Sequence, residues 1–309
     1  MSDKMKNLII RSITGILFVA IMVVGIVFRA DAMILLFALI TGLTIWEYTG
    51  LVNDYANANP NVNDNDNDNE NPNRGSVKVN RFISTAAGVY FFLAVAGFCS
   101  NLTPSAVFIP YLLTIVYLFI SELYTQAPNS INNWAYTMLG QMYIALPFSM
   151  INVLAFHTDA AGNIGYVWLL PMSIFIFLWT NDTGAYCSGS LFGKHKLFPR
   201  ISPAKSWEGS IGGAVFVLIA AAVIGWFDNN PSDPEHLAVL SLPAWMGLGL
   251  VVVFFGTWGD LVESLFKRTL GIKDSGNILP GHGGMLDRFD SSLMAIPAAV
   301  IYLYTLTLL

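Results

Sequence analysis

Nine apolar runs constrain this chain of 309 residues more than any other feature. They lie at about 8–28, 32–51, 82–100, 105–123, 134–156, 166–187, 209–227, 243–265 and 289–309. Each is long enough to cross a hydrocarbon core of about 30 Å as a helix. No water reaches the backbone inside a bilayer, so a separate spanning segment must satisfy its own N–H and C=O groups, and only a helix does so. The expected fold is all-α: a polytopic integral membrane protein with about nine transmembrane helices. The composition, 55% hydrophobic and 11% charged with a mean hydropathy of +0.58, excludes an ordinary soluble domain. A cleavable signal peptide is not expected, because the first run is a full span and a second follows at once.

The basic residues test that count independently. With a cytoplasmic N-terminus, the inner segments hold Lys4, Lys6, Arg11, Arg74, Lys78, Arg81, Lys194, Lys196, Arg200, Lys205, Lys267, Arg268, Lys273 and Arg288, and the outer segments only Arg29. Fourteen of 15 on one side is the asymmetry of the positive-inside rule, and a missed helix would scramble it from that point on. The expected topology is N-in, C-out. Although the net charge is −5, much of the acid sits in one loop, and the inner face of the later half is basic. That suits a polyanionic partner. Cys99 and Cys187 lack metal-ligand spacing and read as small buried apolar residues.

One membrane-embedded domain over 1–309 is expected, with N-terminal helices in 1–156 and catalytic helices and loops in 166–309. Residues 53–73 are Asn/Asp-rich and broken by Pro60 and Pro72, so 53–80 read as a mostly disordered cytoplasmic loop. Its alternating acids resemble a calcium loop only faintly, since Asn69 and Gly75 stand where Gly and Glu are required. Within the second run, Glu47 between Trp46 and Tyr48 either lines a site or lies at the interface between two aromatic anchors. The residues alone do not choose.

Of the 15 basic and 20 acidic residues, nine fall between Asp260 and Asp290. Charges kept this close to lipid usually serve a site, since each costs about 2.5–3.5 kcal/mol at mid-membrane on insertion scales. Asp260, Glu263, Ser264 and Lys267 share one helical face, and Asp287 and Asp290 another. Two carboxylate-bearing faces joined by a loop can hold a hard divalent cation. Gly271, Gly276, Gly281, Gly283 and Gly284 would let backbone N–H groups approach a phosphate chain, with Lys267, Arg268, Lys273 and Arg288 to neutralise it. His282 is as readily a turn hydrogen-bonder as a phosphate ligand. A second cluster runs from Asn181 to Gly209. There Asp182 lies within a span and Lys205 on the basic inner face, and both read as site residues; Ser206 and Glu208 either join them or start the next helix.

The residues Ser264-Leu-Phe-Lys267-Arg268, Lys273-Asp274-Ser-Gly276 and Leu279-Pro280-Gly-His282-Gly283-Gly284-Met-Leu-Asp287-Arg288-Phe-Asp290 resemble the signature of the phosphatidate cytidylyltransferases, or CDP-diacylglycerol synthases. The Asp182 to Gly209 stretch is similar to the second characteristic segment of that family. The resemblance implies attack by the phosphate of phosphatidic acid on the α-phosphorus of CTP, giving CDP-diacylglycerol and pyrophosphate. It implies Mg2+ held by Asp260 and Asp287, with a shared monovalent cation left open, and catalytic roles for Lys267, Arg268 and Lys273. Asp182, Lys205, Ser206, Glu208, Ser264, Asp274, His282, Gly283, Gly284, Arg288 and Asp290 are then expected around the substrates.

Partners would be CTP, phosphatidic acid and membrane lipids, with no nucleic acid and room for a homodimer. The expected location is a bacterial inner membrane with the site facing the cytoplasm. Rival readings are another CTP-dependent lipid-phosphate transferase, a polyprenol kinase, and an ion-coupled anion carrier. No repeat at a fixed period favours the carrier.

Overall fold

The computed structural model describes residues 3–58, 77–125, 130–158, 162–230, 238–276, 278, 281 and 283–306. The centre of the Asn/Asp-rich loop, Leu279, Pro280 and His282 lie outside the described residues. The architecture is an all-α polytopic membrane protein, and seven described helices are long and apolar enough to cross a bilayer. They are α1 (Asp3–Val27), α2 (Ala30–Ala58), α3 (Arg81–Cys99), α4 (Ile109–Thr125, led in by a 3-10 turn), the rod of α5 (Ser130–Gly140) and α6 (Leu146–Ala155), α8 (Trp207–Asn229) and α9 (Leu242–Thr269). A π-turn at Gln141–Ala145 joins α5 to α6.

Two further helices complete the nine expected rods. At about 1.5 Å per residue, α7 (Leu169–Phe192) is about 36 Å long, and it falls outside the seven because Thr180, Asn181, Asp182 and Thr183 make its second half polar. The last run yields a one-turn α10 (Leu286–Phe289) and then α11 (Ser292–Thr305), shorter than the expected 289–309. Two hairpins were not foreseen. One pairs β1 (Phe156–Thr158) with β2 (Ile164–Tyr166), and the other pairs β3 (Lys196–Phe198) with β4 (Ser202–Ser206).

The chain falls into two compact units, Met1–Gly165 with Thr269–Arg288, and Tyr166–Arg268 with Phe289–Leu309. In the first, α3 packs against α2 and α6. Gln141 Nε2 donates to the Ser84 carbonyl (2.8 Å), and Tyr48 Oη donates to that of Tyr136 (3.1 Å). Asn80 caps α3 by accepting from Ile83 N. Asn53 grips Val79 through both main-chain groups, so residues 77–80 are fixed just before α3 begins.

In the second unit α7 and α8 form the most extensive pairing. Its cause is a stripe of small residues at the start of α8, Gly209, Gly212 and Gly213, which face Gly189, Ser188 and Asn181 of α7. Such a stripe lets two membrane helices approach backbone to backbone. Further along α8, Val217 and Ala221 face Gly249 of α9, and Tyr302 Oη of α11 donates to the Ala244 carbonyl (3.2 Å). The α8–α9 connection, which carries no motif, is held by the buried Asp228. Its carboxylate accepts from Val239 N (3.1 Å), Leu240 N (3.0 Å) and Trp245 Nε1 (2.9 Å).

Candidate active site

The polar second half of α7, strand β4, the start of α8 and the cytoplasm-expected half of α9 enclose a cavity of about 370 Å³ in the second unit. Asn181, Asp182, Lys205, Ser206, Thr257 and Asp260 are among its walls. Lys205 arrives on β4 and its ammonium pairs with Asp260 Oδ2, with a longer donation to the Thr257 carbonyl (3.5 Å). Ser264, one turn along α9, donates to Asp260 Oδ1 (3.2 Å). Asp290 lies in the field of Asp260, Asp182 and Lys205, and accepts from Ser291 N. Three carboxylates and one ammonium therefore share a small, partly enclosed volume, where charges act on one another more strongly than in bulk water.

The donor set around this cavity is oxygen. Asp182 and Asp260 line it together with Asn181, whose buried Oδ1 has no hydrogen-bond partner among the described residues. No group of three or more His, Cys, Asp or Glu side chains stands at metal-ligand spacing among the described residues. The two carboxylates nevertheless fit a magnesium ion, which usually takes one or two carboxylates and draws its other ligands from water and phosphate.

The signature loop, in the first unit, is built differently. Ser275 N and Gly284 N both donate to Asp287 Oδ2, each at 2.8 Å. A second carboxylate, that of Glu47 on α2, accepts from Ser275 Oγ (2.6 Å), Met285 N (2.9 Å) and Leu286 N (3.0 Å). Neither sequence reading of Glu47, lining a site or lying near the interface between two aromatic anchors, included this grip on the loop. Trp46 is the exposed neighbour, carrying the Arg81 guanidinium 4.0 Å above its ring, whereas Glu47 is buried.

The sequence matches the model of the Cytidylyltransferase family over residues 9–306. The chain belongs to that family. It is 36% identical over 227 residues to a phosphatidate cytidylyltransferase of Haemophilus influenzae, covering 70% of this chain and 77% of the relative. A Staphylococcus haemolyticus phosphatidate cytidylyltransferase is 40% identical over 171 residues, 55% of this chain and 58% of that protein. One from Staphylococcus saprophyticus is 47% identical over 131 residues, covering 42% and 46%. The chain thus spans little more than half, or less, of these staphylococcal relatives.

For this family member the structure gathers Asp182, Lys205, Ser206 and Asp260 at one cavity, with Ser264 and Asp290 beside them. Ser206 also caps α8, accepting from Gly209 N (3.1 Å). Glu208 turns to the β3–β4 hairpin: His195 Nδ1 lies 2.6 Å from its Oε1, and Lys194 N and His195 N donate to it. Lys267 pairs with the fully buried Glu263 at 2.7 Å. Arg268, Lys273, Asp274 and Arg288 are exposed. Gly283 adopts a φ of +82°, and the Gly284 N–H is taken by Asp287. Asp287 belongs to the first unit and Asp260 to the second. Thr257 was not singled out in the sequence; Asn181 opened the second cluster and Glu263 stood on the carboxylate face with Asp260 and Lys267, but neither was expected around the substrates.

Proposed function

We propose that this protein is a phosphatidate cytidylyltransferase, joining CTP and phosphatidate into CDP-diacylglycerol with release of pyrophosphate. The observation that carries this reading is the Lys205–Asp260–Asp182 cavity, set among membrane helices in a chain that matches the family from end to end. A diacyl lipid keeps its tails in the bilayer and brings only its headgroup to such a place.

The nucleophile needs little activation. The phosphate monoester of phosphatidate is already ionised near neutral pH, since its second pKa is about 6. No strong general base is required. What the site must supply is position and counter-charge for two polyanions. Lys205 provides an ammonium on a flexible stem, held by Asp260 and able to transfer to a phosphate oxygen. Asp260 keeps that ammonium in the cavity, and Ser264 fixes the carboxylate. Asp182 and Asp260 would hold magnesium, whose chemistry there would be to neutralise phosphate oxygens as a Lewis acid.

We place the site at the cytoplasmic face of a bacterial inner membrane, on the support of the 14-of-15 basic asymmetry. Asp274 is exposed and suits a cysteine probe in a background lacking Cys99 and Cys187. An impermeant thiol reagent should leave Asp274→Cys unlabelled in intact cells and label it after lysis; labelling in intact cells would reverse the topology. For the activity, purified protein in mixed micelles receives phosphatidate, magnesium and CTP labelled at the α-phosphate. Label should enter the lipid phase. Transfer only to a different lipid phosphate would move the substrate assignment.

A further inference from the structure

We infer that Glu47 is a positioning residue for the signature loop, setting through Ser275 where the Asp287 carboxylate is held. Glu47 is only 7% exposed. Burial of such a group is tolerated where donors replace its water, and here the donors are the Ser275 hydroxyl and the Met285 and Leu286 N–H groups, all from the loop. Glu47 stands 228 residues before Ser275 in the chain, so the contact is made by folding and not by local turn geometry.

Ser275 is the link. Its hydroxyl donates to Glu47 Oε1, its N–H donates to Asp287 Oδ2, and its Oγ accepts from Asp287 N (3.3 Å). The loop is therefore wound around two carboxylates, one from α2 and one of its own, with one serine touching both. Two glycines of the signature follow from this arrangement. A methyl group at Gly276 would sit 2.7 Å from Glu47 Oε2, and one at Gly284 would come closer still to Oε1. These positions accommodate Glu47, a reason for glycine distinct from approach to a phosphate chain.

The inference rests on the activity proposed above, because it concerns how Asp287 is presented for that reaction. The test joins two readouts so that the two readings fail separately. Glu47→Gln keeps the volume but sets an NH2 group against N–H donors, while Ser275→Ala removes only the linking hydroxyl. In hydrogen exchange, both variants should speed exchange of residues 283–287 and leave α3 and α6 as in the wild type. In the micelle assay, both should lower kcat roughly tenfold or more with the KM for CTP little changed, in the range seen when groups that orient a ligand are removed. The double variant should lose little beyond Ser275→Ala, since the two residues act in series.

Unchanged exchange in residues 283–287 would overturn the inference. So would faster exchange accompanied by turnover within about twofold of wild type, given that orienting groups normally cost tenfold or more. Loosening that extends to α3 and α6 would make Glu47 a general packing residue and also overturn it. If the wild type makes no labelled lipid, the activity reading fails by itself, and the exchange data still decide whether Glu47 holds the loop.

Discussion

Two aspartates with the same side chain, Asp260 and Asp287, are held in contrasting ways. Asp287 is gripped by two main-chain N–H groups, whose positions are fixed by the loop they belong to. Asp260 is held by the Ser264 hydroxyl and by the tip of Lys205, a side chain with four rotatable carbons. Main-chain donors cannot leave without refolding the loop, so Asp287 is a built-in part of its segment. A lysine tip can leave with a phosphate. The comparison separates a carboxylate whose surroundings are preorganised from one whose partner is exchangeable, and the cavity belongs to the second kind.

The largest effect that tests this contrast is expected at Asp260. Asp260→Asn should cut turnover by roughly 100-fold or more, the scale of losing one preorganised electrostatic group. Part of the loss should return at high magnesium, because the defect includes binding. Asp287→Asn should also fall by roughly 100-fold while thermal stability stays near wild type, since the remaining carbonyl oxygen can still accept from Ser275 N and Gly284 N. Steady-state rates over a magnesium titration, with melting curves, distinguish the two. Near-normal turnover in Asp287→Asn would make its charge irrelevant and leave the signature loop a structural element only.

Next in size is Lys205. Lys205→Met keeps the apolar stem and removes the ammonium, and should cost roughly 10- to 100-fold in kcat/KM for phosphatidate as one charge-neutralising contact disappears. Asp260 then loses its counter-charge, so a simultaneous Asp260→Asn should cost less than the two losses multiplied. Independent, multiplicative losses would show that the pair does not act as a unit.

These contrasts mark what the sequence could carry. Hydropathy reports how long a segment is and whether lipid tolerates it, so nine rods, Asp182 and Asp260 were visible from it, and Lys205 from the basic inner face. The pairing of Lys205 with Asp260 was not, because β4 and α9 meet only through the fold. Glu47 was visible as an unusual residue, but its partners lie far along the chain, and two of the three bond it through main-chain N–H groups, which have no signature in the sequence. Ser206 and Glu208 were ambiguous for the opposite reason: a capping pattern and a polar site use the same residue types. The β3–β4 hairpin was read as loop because its strands, of three and five residues, are too short to establish an alternation.

Asp228 offers a control on the stability side. Asp228→Ala would leave Val239 N, Leu240 N and Trp245 Nε1 without their acceptor, at about 1–3 kcal/mol for each buried group that finds no water. The expected result is a lower melting temperature with turnover at 25 °C unchanged, since none of these residues lines the cavity. A matching loss of turnover would connect the α8–α9 turn to catalysis.

The smallest effect is expected from the Asn/Asp-rich segment. Most of it lies outside the described residues, so the argument is one of composition: a run of Asn and Asp broken by two prolines has too little apolar surface to offset the entropy of ordering it. The cost of closing a flexible loop grows only with the logarithm of its length, about 0.6 kcal/mol per doubling. Deleting 57–72 therefore changes the connection between α2 and α3 by little, provided the bonds of Asn53 to Val79 remain, because those bonds hold residues 77–80 at the start of α3. Turnover within a few-fold of wild type is the expected outcome. Complete loss in a protein that still inserts and melts normally would mean that the acidic run does work in the reaction that neither its composition nor the two carboxylate sites accounts for.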